Sequence, residues 1–98
     1  MENLEIHPAI VEKLKTKHRV TVEEIHECFS NVTRGFLVDT REHNQTDPPI
    51  RWFIEETNMG RKLLVAFMHF PKSNKIIVKS AYEPDQSQLS NYKKLTHV

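Results

Sequence analysis

The segment Lys62–Phe70 constrains the fold of this chain most strongly, because it is apolar on both of its alternating faces. Successive side chains of a β-strand point to opposite faces of the sheet. A strand that is apolar on both faces is usually central in its sheet and covered on both sides. The sequence therefore predicts a sheet built around this segment. The residues of its two faces are Leu63, Val65 and Phe67 on one, and Leu64, Ala66 and Met68 on the other.

Two helices are predicted before the first strand. Ile6, Ile10 and Leu14 recur at four-residue steps, which gives a short helix one apolar stripe, and Pro8 suits its first turn. A second helix is predicted to begin at Thr21, because Thr21–Glu24 has the pattern of a capping box. It should end at Asn31 or Gly35, with an apolar face formed by Val22, Ile25 and Phe29.

The remainder predicts four strands and a last helix. The turn segments Asn58–Gly60 and Pro71–Asn74 are too short for a parallel return, so the strands they join should be antiparallel. A last helix should open at Pro84 and Asp85, run to about Lys94 and turn Leu89 and Tyr92 inward. Helices followed by strands favour an α+β fold. The predicted strands are Phe36–Val38, Arg51–Glu56, Lys62–Phe70 and Lys75–Tyr82.

Composition limits the class of protein. The 98 residues predict one domain, 1–98, and the longest apolar stretch, Leu63–Met68, is far below the roughly 20 residues needed to span a bilayer. The N-terminal residues lack the apolar segment of a secretory signal, and the single Cys28 cannot form an internal disulfide. These features favour a cytoplasmic protein that does not bind membranes, with Cys28 as a small core residue.

Charge is unevenly distributed along the chain. Residues 1–49 hold six Lys/Arg and nine Asp/Glu, whereas residues 50–98 hold eight and four, so the halves carry −3 and +4. A modest basic surface on the second half is compatible with contact to phosphate groups. The alternative interpretation is an ordinary mixed, solvated surface.

The polar loop Asp39–Pro49 is the first candidate for a functional site. It contains Arg41, Glu42 and His43, which could bind a phosphate and transfer protons, and it ends in two prolines. The alternative is a hairpin loop in which Asp39 and Asp47 hydrogen-bond to their own backbone.

The last strand and its neighbours supply further candidates. Ile76 and Val78 should share one face of the strand, and Ile77, Lys79 and Ala81 the other, so that Lys79 could reach a ligand. Lys79 and Tyr82 are catalytic candidates, and the alternatives are a solvated lysine and a half-buried tyrosine. The substrate-binding candidates are Arg61, Trp52 and Glu83, for which the alternatives include a surface cation and a capping acid.

No cofactor or metal site is predicted. The chain has no C-x-x-C or H-x-x-x-H pair, and its two glycines, Gly35 and Gly60, cannot build a glycine-rich phosphate loop. Any chemistry should therefore depend on the polar side chains alone.

Several segments resemble the BrnT-like toxins of the RelE/ParE superfamily. His18–Ile25 resembles the family's K-H-G-V-x-x-E-E segment. Asp39–Glu42, Gly60–Val65 and Ser80-Ala81 follow the order of its D-x-R-x, G-R-x-L-x-V and S-A-R segments. Ile77 and Tyr82 stand where the family pattern has arginines.

The chain also resembles a set of small bacterial proteins labelled ADP-ribosyl-(dinitrogen reductase) hydrolase. The shared segments are Asp39–Glu42, Thr46–Pro49, Trp52–Thr57 and Lys79–Pro84. The enzymes properly so named are much larger helical proteins with a dimetal site of several carboxylates, which a chain of 98 residues without a carboxylate cluster cannot build.

The BrnT-like resemblance implies an α+β fold with an N-terminal helix pair, a four-stranded, mainly antiparallel twisted sheet and a C-terminal helix. It also implies a metal-independent ribonuclease toxin that acts on RNA and is held by an antitoxin protein. Lys79 and Arg61 would then stabilise phosphate charge, and Glu42 or His43 would move protons. The alternatives are a non-catalytic domain that binds a partner protein, and a small hydrolase acting on an ADP-ribose-type substrate.

Overall fold

The computed structural model describes residues 3–41 and 45–96 of the chain. It is an α+β fold with three helices and a five-stranded mixed sheet in the order β1-β5-β4-β3-β2. The predicted α+β class is thereby confirmed, whereas the predicted four-stranded, mainly antiparallel sheet is replaced by this five-stranded mixed one. The helices are α1 (Pro8–Lys13), α2 (Val22–Asn31) and α3 (Gln86–Leu95), and the strands are β1 (Leu4–Glu5), β2 (Leu37–Val38), β3 (Ile50–Glu56), β4 (Lys62–Phe70) and β5 (Lys75–Tyr82).

Both N-terminal helices begin at local signals. Pro8 is the first residue of α1, which continues as a π-helical segment, Leu14–His18, and ends where Arg19 adopts a left-handed conformation with φ of 55°. The Thr21 side chain accepts a hydrogen bond from the amide of Glu24, and Glu24 accepts one from the amide of Thr21. This reciprocal cap is the predicted capping box.

The prediction of four strands was wrong, because β1 adds a fifth. Leu4 lies opposite Ile76 and Glu5 opposite Ile77, in parallel register with β5. The pairs β2–β3, β3–β4 and β4–β5 are antiparallel, as the short turns predict. A strand of two residues offers no alternating pattern, so nothing in the sequence distinguishes β1 from a coil.

The helix pair covers one face of the sheet, here called the helix-pair face. The Phe29 ring of α2 packs edge-on against Phe53 and Phe67, with centroids 4.9 and 5.2 Å apart. Ile25 and Cys28 are fully buried beside it, whereas Val22 is 36% exposed, so its predicted place on the buried face was wrong. Each fully buried large apolar side chain contributes about 1.5–3 kcal/mol to folding.

The last helix covers part of the opposite face, called the α3 face. Tyr92 of α3 packs on Trp52 with ring centroids 5.6 Å apart, and its hydroxyl donates to the carbonyl of Gly35 at 2.7 Å. Leu89 packs against the same core, as predicted. Leu63 and Leu64 of β4 face opposite ways and are 0% and 5% exposed, which confirms a central strand covered on both sides. In the described ranges, no helix has both the length and the apolar character to cross a membrane.

Candidate functional site

A β-bulge in β5 decides which side chains reach the α3 face. Phe67 lies opposite Val78, but its neighbour Ala66 lies opposite Ser80, so Lys79 is an extra residue in the strand. Because the bulge adds one residue to β5, every later side chain of the strand points to the face opposite to the one that regular alternation would give. Lys79 itself is exposed.

Because of this bulge, the face of β5 predicted for Ala81 was wrong. Ala81 lies opposite Val65 and is fully buried on the helix-pair face, together with Val78, rather than on the face of Ile77. Ser80 and Tyr82 consequently lie on the α3 face, since they pair with Ala66 and Leu64. A regular strand would have placed Tyr82 on the other side of the sheet.

Tyr82 is held in a half-buried position at the end of β5. The Gln88 side-chain amide donates to its hydroxyl oxygen at 3.1 Å, and the His18 ring lies with its centroid 5.7 Å away. Gln88 also accepts a hydrogen bond from the amide of Asp85 at 3.0 Å, within the capping box of α3. Because Gln88 donates to the Tyr82 oxygen, the hydroxyl proton of Tyr82 is free to be donated to a ligand.

Arg41 reaches the same face from the loop after β2. The Asp39 amide donates to the carbonyl of Ile50 at 2.7 Å, which extends the β2–β3 ladder by one residue and directs Asp39 to the side of Leu37 and Trp52. The Asp39 carboxylate then binds both Nε and Nη2 of Arg41, at 3.1 and 2.8 Å.

Asp39 orients Arg41 while leaving it accessible to a ligand. The carboxylate is only 9% exposed, whereas the Arg41 side chain is 65% exposed. The hydrogen bonds to Asp39 raise the pKa of Arg41, against a lowering by partial burial, and the charges of Asp39 and of a Tyr82 phenolate raise it further. Asp39 also accepts from the backbone amide of Arg41 at 3.0 Å, which is the local contact that the alternative interpretation of this loop predicts.

Arg61 and Glu83 form a cluster at the end of β5, here called the Arg61 clamp. The guanidinium donates to both oxygens of Glu24 at 3.1 Å and to Glu83 at 3.0 Å. It also donates to the carbonyls of Arg19 and His18 at 2.8 and 3.1 Å. Partial burial alone would raise the pKa of Glu24, but the Thr21 amide and the Arg61 guanidinium together lower it.

The predicted site residues therefore separate into groups. Arg41, Trp52 and Tyr82 lie on the α3 face, although Trp52 is half-buried against Tyr92. Arg61 and Glu83 contact each other and not Arg41 or Asp39. Glu42 and His43 lie outside the described residues.

Three residues that flank the site had no functional prediction from the sequence. For the ribonuclease function, the sequence predicts only backbone hydrogen bonds for Asp39 and no role for Gln88 or His18. The signal for Gln88 was its position three residues after Asp85, which completes a capping box. Nothing local in the sequence indicates that His18 and Tyr82 meet, because 64 positions separate them.

The exposed groups of this site suit an anionic ligand. Arg41 supplies a fixed positive charge and Tyr82 supplies a hydroxyl proton. Lys79 is an exposed cation in the bulge three residues before Tyr82. Across 3–41 and 45–96, no three His, Cys, Asp or Glu side chains come together as metal ligands. No model of a known protein family matches this chain, and no curated protein matches it significantly.

Proposed function

We propose that this chain is a toxin-type domain that cleaves RNA without a metal ion, in the manner of the BrnT-like toxins of the RelE/ParE superfamily that it resembles. The observation that supports this proposal is that Arg41 and Tyr82 both lie on the α3 face, near enough that a charge on the Tyr82 oxygen acts on the Arg41 guanidinium. A phosphodiester needs cations to stabilise added negative charge and an acid to protonate the leaving oxygen. Arg41 and Tyr82 are suited to these two tasks.

The proposed reaction is an internal transfer within the RNA. The 2′-hydroxyl oxygen attacks the adjacent phosphorus and forms a new O–P bond, while the bond from phosphorus to the 5′ oxygen breaks. Glu42 or His43 accepts the 2′-hydroxyl proton, and Tyr82 donates its proton to the departing 5′ oxygen. Arg41 and Lys79 stabilise the charge on the phosphorane. The products carry a 2′,3′-cyclic phosphate and a 5′-hydroxyl. The Tyr82 phenolate then regains a proton from water, and Glu42 or His43 returns its proton to water.

Within this proposal the Arg61 clamp has a supporting role. Its guanidinium already contacts two carboxylates and two carbonyl groups, so we assign it to holding Glu83 and His18 on either side of Tyr82 rather than to the phosphate.

The proposal is tested by the ends of the cleaved RNA. Purified protein is incubated with a single-stranded RNA, and the fragments are examined for 2′,3′-cyclic phosphate and 5′-hydroxyl ends. Arg41→Gln and Lys79→Gln should each slow cleavage about 10- to 150-fold, which corresponds to roughly 1.5–3 kcal/mol for one charge-assisted contact. Tyr82→Phe should slow it about 100-fold or more, as expected for loss of a general acid.

Lys15→Gln provides the matched control, because Lys15 is an exposed cation in the π-helical segment. It should leave cleavage unchanged, and Lys15→Gln and Lys79→Gln should each change the free energy of unfolding by less than about 0.5 kcal/mol, as surface substitutions do. Arg41→Gln and Tyr82→Phe each remove a hydrogen-bond partner, so their cleavage rates are measured at a temperature where both variants are fully folded. Expression in a bacterial host tests whether the chain is toxic. Co-expression with the gene adjacent to its own tests whether that gene encodes an antitoxin that neutralises it. Cleavage at the wild-type rate in all three site variants would refute the assignment.

A second candidate function is that of a non-catalytic domain that binds a partner protein. The observation that favours it is the outer strand β2, in which Val38 is 42% exposed and which Phe36, 40% exposed, directly precedes. A strand at the edge of a sheet can pair with an extended segment of another protein. A chain that binds the product of the neighbouring gene without cleaving RNA would support this function instead.

A further inference from the structure

A groove lies where β3 begins and β4 ends, away from Tyr82. Its volume is about 390 Å³. Tyr82 lies opposite Leu64, and the groove residue Phe70 is six positions further along β4, which corresponds to about 20 Å of strand. No residue assigned to the proposed cleavage reaction lines this groove.

The apolar wall of the groove is built from one aromatic ring and three saturated proline rings. Pro48 and Pro49, from the loop before β3, face Phe70 and Pro71 at the end of β4. Pro48, Pro49 and Phe70 are half-buried, and the Thr46 hydroxyl donates to the carbonyl of Pro48 at 2.8 Å, which fixes this part of the loop. A planar ring stacks on aromatic and flat apolar surfaces of this kind, because every base presents a π-face.

The polar wall is cationic. Arg51 and Lys72 line the groove together with His69, against a single carboxylate from Asp47. Within the part of the chain that the structure describes, neither Arg51 nor Lys72 forms an ion pair. Nε2 of His69 is hydrogen-bonded to the side-chain oxygen of Asn74 at 3.1 Å, which orients the ring.

We propose that this groove binds a nucleotide unit, with the base against the proline and phenylalanine rings and the phosphate at Arg51 and Lys72. The two walls fit the two parts of that ligand. Guanidinium and ammonium groups bind phosphate, and a base can stack on the Phe70 ring and pack against the prolines. The inference goes beyond the proposed ribonuclease function and does not depend on it. A free mononucleotide and one nucleotide of an RNA chain present the same chemistry to the groove.

The test is a titration followed by amide chemical shifts of the full chain. Uridine 5′-monophosphate should shift the amides that flank the three groove prolines, while inorganic phosphate or uridine alone should bind at least about tenfold more weakly. These amides are those of Asp47, Ile50, Arg51, His69, Phe70 and Lys72. Arg51→Gln and Lys72→Gln should each weaken binding about tenfold, the effect of one charge-assisted hydrogen bond. Lys17→Gln, another exposed cation, is the control and should bind as the wild type does.

Two further titrations distinguish RNA from a free nucleotide as the ligand, and distinguish this proposal from the ribonuclease proposal. A short oligouridylate that binds more tightly than the mononucleotide assigns the groove to RNA, and equal binding assigns it to a free nucleotide. The Tyr82→Phe variant should bind the mononucleotide as tightly as the wild type does, whether or not the protein cleaves RNA. Binding in the groove can therefore be tested independently of the ribonuclease proposal. Equal affinity for inorganic phosphate or for an acidic peptide, or shifts elsewhere in the chain, would overturn it.

Lys72→Gln keeps the experiment interpretable if Arg51→Gln fails to fold. Lys72 is exposed in the turn after β4, so its substitution should leave the free energy of unfolding nearly unchanged. If a folded Lys72→Gln variant binds uridine 5′-monophosphate as tightly as the wild type does, Lys72 does not contact the phosphate and the proposed site is wrong.

Discussion

Gln88 shows how a single side chain can connect local structure with the candidate site. Its carbonyl oxygen accepts from the Asp85 amide and completes the cap of α3. The same contact fixes which end of the side chain faces Tyr82, because the oxygen is already used. The amide nitrogen must then donate to the Tyr82 hydroxyl, as it does at 3.1 Å. Formation of α3 therefore sets the direction in which the Tyr82 proton can be donated.

Cys28 is a residue whose chemistry is suppressed by its surroundings. It is fully buried on the helix-pair face, and its thiol lies 3.5 Å from the carbonyl of Glu55. Burial, together with the nearby carboxylates of Glu55, Glu24 and Glu27, raises the pKa of Cys28 to about 12. A thiol reacts as its thiolate, so Cys28 should be inert in the folded protein.

Native protein should therefore resist a bulky maleimide at neutral pH and react fully once unfolded in denaturant. Ser30→Cys is the matched control, since Ser30 is exposed two positions further along α2 and should be labelled at once. Rapid labelling of native wild-type protein would show that Cys28 is accessible and that this account is wrong.

At the scale of elements, sequence patterns predicted the long strands and helices well. The bounds of β4 and β5, the capping box of α2 and the inward side of α3 follow from alternation and from residues close in sequence. The bulge at Lys79 was not predicted, because it arises from how β4 and β5 pair rather than from any residue in β5. That single extra residue determines the facing of Ala81 and Tyr82, so the candidate site could not be predicted from strand alternation.

The Arg61 clamp joins elements that are distant in the chain. It ties the connection between α1 and α2 to the start of β4 and, through Glu83, to the end of β5. Arg61 and Glu24 are 26% and 23% exposed, so these contacts are partly shielded from water. Contacts of this kind contribute more than a fully solvated ion pair.

Arg61→Met should lower the free energy of unfolding by about 1–3 kcal/mol at neutral pH, as loss of charged hydrogen bonds does. The folded protein lowers the pKa of Glu24, so the stabilisation is complete above its ordinary value, near 4.5, and is lost as pH falls through the lower folded value. The difference between variant and wild type should therefore shrink below about pH 4.

Chemical denaturation at several pH values measures this difference. Lys62→Met is the control, because Lys62 is the exposed neighbour of Arg61 and makes no ion pair within the described ranges. Its effect should be small at every pH. An Arg61→Met cost that stays constant down to pH 3 would show that the clamp does not depend on the ionised carboxylate.

For the whole molecule, the two faces of one sheet have different partners. The helix pair covers the side where the aromatic cluster of Phe29, Phe53 and Phe67 forms, and α3 covers part of the other. Tyr82 lies beside α3, whereas the groove of Arg51 and Lys72 lies at the far end of the same strands, where Asp39, the residue that orients Arg41, binds Ile50. The +4 charge of residues 50–98 thus includes both cations of the groove and Lys79 of the candidate site.

The proposed ribonuclease activity should persist when metal ions are removed. Its charge stabilisation is assigned to Arg41 and Lys79, and no three potential metal ligands meet within residues 3–41 and 45–96. Cleavage in excess EDTA should match cleavage in untreated buffer at equal ionic strength, because added salt weakens RNA binding by itself. The rate is followed on the same single-stranded RNA, with the Tyr82→Phe variant as a check for contaminating nucleases. A rate that falls on chelation and returns with one divalent cation would place a metal in the reaction and contradict the proposed mechanism.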